Sequence, residues 1–122
     1  MAPTPAPSAR TLTVTASTFE QAVIAASFDR PVVVDFSAAW CPPCQLAGAT
    51  LREVAAARFE SAVFATVDID ADPQLAQRYG IHALPTLHFF RDGRVVGSLV
   101  GLHGREQILR LLDAEPPALL SA

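Results

Sequence analysis

The sequence predicts an α/β domain of order βαβαβαββα, with a central mixed sheet of about five strands flanked by helices on both faces. Three observations carry this. Short β-branched runs alternate with segments of helical period, which implies parallel pairing. Two runs flanking Arg91-Asp92-Gly93 close the pattern as a hairpin and add an antiparallel edge. A chain of 122 residues, 51% hydrophobic and 17% charged, has the size and composition of one globular domain with one core.

Each element has a local reason. Thr11 to Thr15 alternates polar and apolar residues and reads as a strand. Ser17-Thr-Phe-Glu20 is a capping-box pattern, so a helix is expected from Thr18 to Phe28 with Phe19, Val23 and Ala26 inward. Asp29-Arg30-Pro31 ends it. Pro31 to Ser37 is almost unbroken apolar residues, as in a central strand buried on both faces, and Asp35 is its anomalous charge. A long helical segment runs to Phe59, with Leu46, Ala47, Leu51, Val54 and Ala55 at inward spacing. Ala62 to Val67 is a strand. Pro73 opens a short helix to Tyr79, and Gly80 stops it. Thr86 to Phe90 and Arg94 to Val100 form the hairpin. Gly104 to Leu112 is the last helix, with Ile108, Leu111 and Leu112 inward, stopped by Glu115-Pro-Pro117. The expected division is a flexible Pro-rich tail over residues 1–10, one domain over 11–114 and a loose tail over 115–122.

Composition removes several function classes. A net charge of −3 gives no basic footprint for nucleic acid. No apolar run approaches the ~20 residues of a membrane span. The first ten residues lack the basic and apolar regions of a secretory signal, so a cytoplasmic protein is expected.

The chemistry concentrates at Trp40-Cys41-Pro42-Pro43-Cys44, which holds the single tryptophan and both cysteines. Two cysteines are too few for a disulfide scaffold and point to redox or metal chemistry. A structural zinc site needs four ligands. No second cysteine pair exists, and His82, His88 and His103 lack finger-like spacing, so no metal is expected. An inert structural pair is the plainer alternative to a redox dithiol. The dithiol lies between a strand and a helix start, where the helix dipole lowers a thiol's pKa. Cys41 falls at the cap position. Pro43 has no N–H, which leaves the Cys44 amide as the main local donor to the Cys41 sulfur. The triplet Asp68, Asp70 and Asp72 lacks the Gly and distal Glu of a calcium loop and reads as a solvated strand end.

The run Val32-Val-Val-Asp-Phe-Ser-Ala-Ala-Trp-Cys-Pro-Pro-Cys44 resembles the active-site segment of the thioredoxin family. The resemblance continues through Val67-Asp-Ile-Asp70, Tyr79-Gly80-Ile81, Leu84-Pro85-Thr86, Phe90-Arg-Asp-Gly93 and Gly101, and spans Thr11 to Ala114. It implies the thioredoxin fold and a protein-disulfide reductase. Cys41 would be the exposed nucleophile, Cys44 the buried resolving thiol, and Asp35 the proton relay beneath Cys44. Burial should raise the Asp35 pKa toward neutrality. Pro85 would be a cis-proline facing the dithiol, and the Leu84 backbone would pair with an extended substrate segment. Trp40, Leu84, Gly101 and Leu102 would form an apolar rim around Cys41. The resemblance further implies disulfide-containing protein substrates, a monomer with no bound cofactor, and electrons from NADPH through a flavin-dependent thioredoxin reductase.

The chain departs from the family pattern at several positions. Pro42 replaces the usual Gly, and Pro42 and Pro43 together tune the redox couple. Pro43 disfavours helical geometry at Pro42. Ser37 stands where Trp is common and thins the packing there. Thr66 stands where a Lys often lies near the buried Asp, which should leave Asp35 harder to ionise. Gln45 replaces a basic residue. Ala49 replaces a helix-kinking proline, with Gly48 as a weaker source of bend. His82 lies three residues before Pro85; the plainer reading is an exposed side chain, the alternative a pH-sensitive neighbour of the dithiol. His88 reads as a neutral, hydrogen-bonded core histidine, and His103 as solvated. Two other functions stay open at this level: an oxidase or isomerase running the same exchange in the opposite direction, and a client-binding module whose dithiol is a switch.

Overall fold

The computed structural model describes residues 10–114. The remainder of the expected N-terminal tail and the expected C-terminal tail lie outside the described residues. Arg10 is described, and its guanidinium lies 3.8 Å from the centroid of the Phe59 ring.

Five strands form one sheet: β1 (Thr11–Thr13), β2 (Val32–Ser37), β3 (Val63–Asp68), β4 (Thr86–Arg91) and β5 (Arg94–Val100), in the order β1-β3-β2-β4-β5. β3 runs parallel to both β1 and β2, while β4 is antiparallel to β2 and to β5. The hairpin therefore adds more than an antiparallel edge, because its inner strand sits antiparallel against the central one. The intervening segment carries the short helix α3 (Pro73–Arg78) and keeps the chain at one end of the sheet. β3 leaves and β4 re-enters beside Phe36, which pairs with Val67 on one side and Thr86 on the other.

Alternation along β2 divides the core. Val32, Val34 and Phe36 face one side, with Phe19, Val23, Leu75 and Phe90. Val33 faces the other, with Leu51, Val54, Phe64, Leu87, Phe89 and Ile108. The first side is covered by α1 (Ala16–Phe19) and its continuation, together with α3. The second is covered by α2 (Pro42–Arg58) and α4 (Arg105–Asp113). The period of two places Asp35 on the second side, beneath α2. No helix among the described residues is long and apolar enough to cross a membrane.

The first helix begins at Ala16, two residues before its expected start. Its cap is Thr15, whose amide donates to the Thr18 hydroxyl at 3.0 Å, in place of Ser17. A tertiary bond accounts for the early start: the Ala16 amide donates to Asp72 Oδ1 at 3.0 Å, across 56 residues. Asp72 is thereby buried and is no part of a solvated strand end. β1 correspondingly stops at Thr13, and Val14 turns into the core. Beyond Phe19 the helix widens to i→i+5 bonding over Glu20–Ala25 and tightens over Ala26–Phe28. Phe19, Val23 and Ser27, spaced by four, all end buried.

Ser27 then clamps the hairpin turn. Its carbonyl accepts from the Asp92 amide at 2.9 Å, and its hydroxyl accepts from the Gly93 amide at 2.8 Å. Asp92 and Gly93 both have positive φ, as a two-residue hairpin loop requires. A Cβ on Gly93 would lie 2.8 Å from the Phe28 ring, so that position requires glycine twice over. At the far end of the sheet, Arg58 of α2 donates two hydrogen bonds to Asp113 of α4, at 2.7 and 3.0 Å.

Candidate active site

α2 starts at Pro42, immediately after β2 and a short loop. Proline is favourable at a first helical position, where its missing N–H costs nothing. The disfavour that Pro43 imposes on Pro42 does not move the helix start. Cys41 caps it in extended geometry, at φ −101° and ψ 105°. The Cys44 amide donates to Cys41 Sγ at 3.3 Å, so the donor left by the proline-bearing turn is the one in use. Cys41 and Cys44 form a disulfide with Cα atoms 5.2 Å apart.

Cys41 is not exposed in this oxidised state. It is 4% accessible and Cys44 is 2%, because both sulfurs turn onto Ala38, with Ile69 and Leu84 packed alongside. Direction distinguishes the two sulfurs more than burial does. Cys41 lines an apolar groove, and Cys44 lines a polar cleft behind it.

The groove, about 430 Å³, is walled by Trp40, Cys41, Pro42 and Pro43 on one side and Ile69, Ile81, His82, Ala83 and Leu84 on the other. The Leu84–Pro85 peptide bond is cis. Pro85 lies behind the wall, and its carbonyl accepts from the Gly101 amide at 2.8 Å, so Gly101 closes the loop beside the groove without lining it. Leu102 does not line the groove either and is half exposed. Ile69 and Ile81 do, although sequence spacing offered no reason to place them there. His82 stands on the wall, near the dithiol. Trp40 is 65% exposed but is held in place, since its indole N–H donates to Asp70 Oδ2 at 2.8 Å. Asp70 in turn donates its amide to Asp68 Oδ1 at 2.9 Å. Asp70, backed by Asp68, thus orients the site's tryptophan. The pairing spans 30 residues, and nothing in local sequence signals it.

The polar cleft, about 230 Å³, is lined by Asp35, Ser37, Cys44, Gln45, Gly48 and Arg52, with Thr11, Thr13 and Thr66 at the β1 side. Asp35 is 1% accessible, and its Oδ1 has no hydrogen-bond partner among the described residues. Its carboxyl is raised to about 7, burial pushing it up against the opposing pull of the Arg52 guanidinium. Across the ladder, Asp35 pairs with Thr66 on β3 and Leu87 on β4, which bring no charge to it. Ser37, small where a large residue would fill the space, lines both this cleft and a smaller one behind Ala39. Gln45 donates to the Ala39 carbonyl at 3.2 Å and steadies that loop.

Arg52 was legible only as a spacing. Cys44, Gly48 and Arg52 recur every four residues, hence on one helix face, beside a buried acid. Leu46 falls one residue off the buried stripe and is 62% exposed, against its expected inward placement. His88 is buried, but its Nδ1 has no hydrogen-bond partner among the described residues. Its ring packs against those of Phe36, Tyr79 and Phe90, and burial lowers its pKa. His103 is partly buried, with both ring nitrogens in hydrogen bonds, to Gln107 and to the Val100 carbonyl. No group of three or more His, Cys, Asp or Glu residues suited to a metal ion exists among the described residues.

Comparison with known proteins agrees with this geometry. The family model described as Thioredoxin matches residues 10–114. A thioredoxin of Alicyclobacillus acidocaldarius subsp. acidocaldarius is 39% identical over 98 residues, covering 80% of this chain and 90% of that protein. A protein of Mycobacterium leprae named bifunctional thioredoxin reductase/thioredoxin is 34% identical over 109 residues, covering 89% of this chain and 23% of that one. The crystal structure of Malassezia sympodialis thioredoxin superposes with a TM-score of 0.74 at 29% identity, covering 84% of this chain and 87% of that one.

Proposed function

The chain belongs to the thioredoxin family and is a protein-disulfide reductase acting by thiol–disulfide exchange, and from that premise we propose how its residues divide the work. Cys41 is the attacking thiolate. Its sulfur meets the apolar groove, where a substrate disulfide docks, and the Cys44 amide and the α2 N-terminus favour its charged form. Attack forms a Cys41–substrate mixed disulfide and releases one substrate thiolate. Cys44, giving its proton to Asp35, then attacks Cys41 Sγ. The second substrate thiolate leaves, and the Cys41–Cys44 disulfide remains. Two electrons pass from the dithiol to the substrate.

Trp40 and Leu84 flank the docked segment, and the cis Leu84–Pro85 bond presents backbone to it beside Cys41. Gly101 supports that turn through Pro85. Leu102 lies on the exposed surface beyond, as an outer contact for longer substrates. Pro42 and Pro43 set the redox couple by stiffening the ring that the disulfide closes.

The oxidised protein is recharged from outside, because its own residues hold no further reductant. We assign that task to a flavin-dependent thioredoxin reductase drawing on NADPH. The Mycobacterium leprae relative, whose name joins a reductase to a thioredoxin, supports the pairing. The setting is a reducing compartment such as the cytoplasm, where the protein works as a monomer with its groove free.

The observation that carries this reading is the Cys41–Cys44 disulfide at a helix N-terminus, with an apolar groove on one sulfur and a buried carboxyl behind the other. Turnover of insulin disulfides tests it. Cys41→Ser abolishes reduction, whereas Cys44→Ser accumulates the mixed disulfide. Full activity in Cys41→Ser would exclude dithiol catalysis. Equilibration of the couple in glutathione buffers tests its direction, and a potential more oxidising than the cytosolic poise would overturn the reductase reading.

A further inference from the structure

We propose that Arg52 is a positioning residue for the resolving step: reaching back over Gly48 into the polar cleft, its guanidinium keeps Asp35 ready to take the Cys44 proton. The proposal rests on the reading of Asp35 as the proton partner of Cys44 and adds the group that governs it.

Four observations converge on Arg52. It lines the cleft together with Asp35 and Cys44. Its path runs over Gly48, where a Cβ would stand only 3.3 Å from the terminal Nη1. The guanidinium therefore folds back one helical turn, toward the dithiol. No ion pair among the described residues holds it elsewhere, whereas neighbouring Glu53 meets Arg105 at 3.6 Å. Its charge also acts on Asp35 against the effect of burial.

No other charge competes for that role around the cleft. β1 presents Thr11 and Thr13, β3 presents Thr66, and β2 presents Ser37 beside Asp35. β4 presents Leu87 as Asp35's ladder partner. From α2 come Cys44, Gln45 and Gly48 besides Arg52. Among the described lining residues, Arg52 is the only cation. The cleft also offers a way out for the proton. Asp35 Oδ1 and Thr11 Oγ1 are both buried without protein partners, and both residues line it. A polar cavity of this size admits water. The proton leaves the Cys44 thiol for the Asp35 carboxylate as the sulfur attacks, and then passes from the carboxyl to water in the cleft. No net charge accumulates beneath the helix.

The test follows Asp35 itself, by carboxyl ¹³C NMR titration of the oxidised protein, alongside the kinetics of mixed-disulfide resolution. Reaction of the reduced protein with an aryl disulfide releases one coloured thiolate on Cys41 attack and a second on resolution. Arg52→Gln is expected to move the Asp35 titration upward by about one pH unit. At pH 7 that lowers the ionised fraction, and the second release slows about fivefold while the first is unchanged. Arg52→Lys keeps the charge and most of the parent titration. Arg105→Gln, which removes an exposed charge away from the cleft, leaves both readouts in place. An Asp35 titration unmoved by Arg52→Gln, or moved equally by Arg105→Gln, would overturn the proposal. A lysine variant indistinguishable from the glutamine variant would remove the charge as its cause. A shifted titration with unchanged release would instead overturn Asp35 as relay, and with it the kinetic part assigned to Arg52.

Discussion

On the two sides of the sheet, Asp35 and His88 are buried titratable groups in contrasting surroundings. Asp35 and His88 stand on neighbouring strands, one register step apart, since Val34 faces His88 and Asp35 faces Leu87. Asp35 points beneath α2 into a cleft with hydroxyls, an amide and a guanidinium. His88 points the other way, into the rings of Phe36, Tyr79 and Phe90. Burial destabilises the charged form of both, raising one pKa and lowering the other. The difference lies in what stands beside each group. The carboxyl has a cation, a thiol and a path to solvent, so its proton can move during turnover. The imidazole packs among rings, its Nδ1 without a partner among the described residues, and it lines neither the groove nor the cleft. A buried ionisable residue becomes part of a mechanism through the cavity beside it, and burial alone does not distinguish the two cases.

The sharpest way to break this comparison is to hollow out the aromatic side. Phe90 is fully buried, with ring centroids 5.8 Å from Phe19 and 5.4 Å from Tyr79. Phe90→Ala is expected to lower stability by about 3–5 kcal/mol in denaturant titration. Molecules that stay folded should keep the parent's rate of disulfide exchange at Cys41. A slowed exchange step in the folded fraction would mean the two sides are not independent.

Asp35→Asn tests the wet side through pH. Below about pH 4 both folded and unfolded Asp35 hold the proton, and ionisation costs nothing. Between about pH 4 and 7 the unfolded chain releases it while the folded chain does not, so the parent's stability falls as pH rises. Above about 7 the penalty is constant. The asparagine variant cannot ionise, so its stability relative to the parent should rise by roughly 4 kcal/mol between pH 4 and pH 8. It should also slow resolution more than initial attack. Parallel pH profiles for parent and variant, in urea unfolding, would exclude a buried acid with a raised pKa.

The smallest effect is expected at His88, with the opposite sign. Its folded pKa lies below its unfolded one, so acidification through the unfolded value of about 6.5 costs stability, as the unfolded state gains the proton first. His88→Leu should lose less stability than the parent between pH 8 and pH 5, with catalysis at pH 8 unaltered. Thermal unfolding at the two pH values measures this. Equal losses would show that His88 is not held neutral by its ring cage.

Much of the site is visible along the chain because its chemistry is local. The cap at Cys41, the missing proline amides and the Cys44 donor follow from five consecutive residues. Asp35 announces itself as a charge inside an apolar strand. The parts that were not visible depend on partners far along the chain. Asp70 gains its role from Trp40 and Asp72 from Ala16, across 30 and 56 residues. The sequence suggests a bonded His88, since a buried imidazole usually is, yet the rings around it come from distant residues and offer no acceptor to Nδ1. Arg52 lies between these cases. Its spacing from Cys44 is written in the sequence, but its approach to Asp35 depends on which side of β2 lies under α2.

By itself, the sequence determined the alternation of strands and helices, the division of the core by the period of two, and the dithiol at a helix cap. These follow from hydrophobic spacing and backbone hydrogen bonding within a few residues, which neighbours alone can satisfy. Only the tertiary structure decided that β4 runs antiparallel against β2, that both sulfurs are turned inward, and that an apolar groove and a polar cleft lie on opposite sides of one disulfide. Those outcomes depend on where a strand re-enters the sheet and on the distances between side chains far apart in the chain. Such distances are set only once the layers have packed.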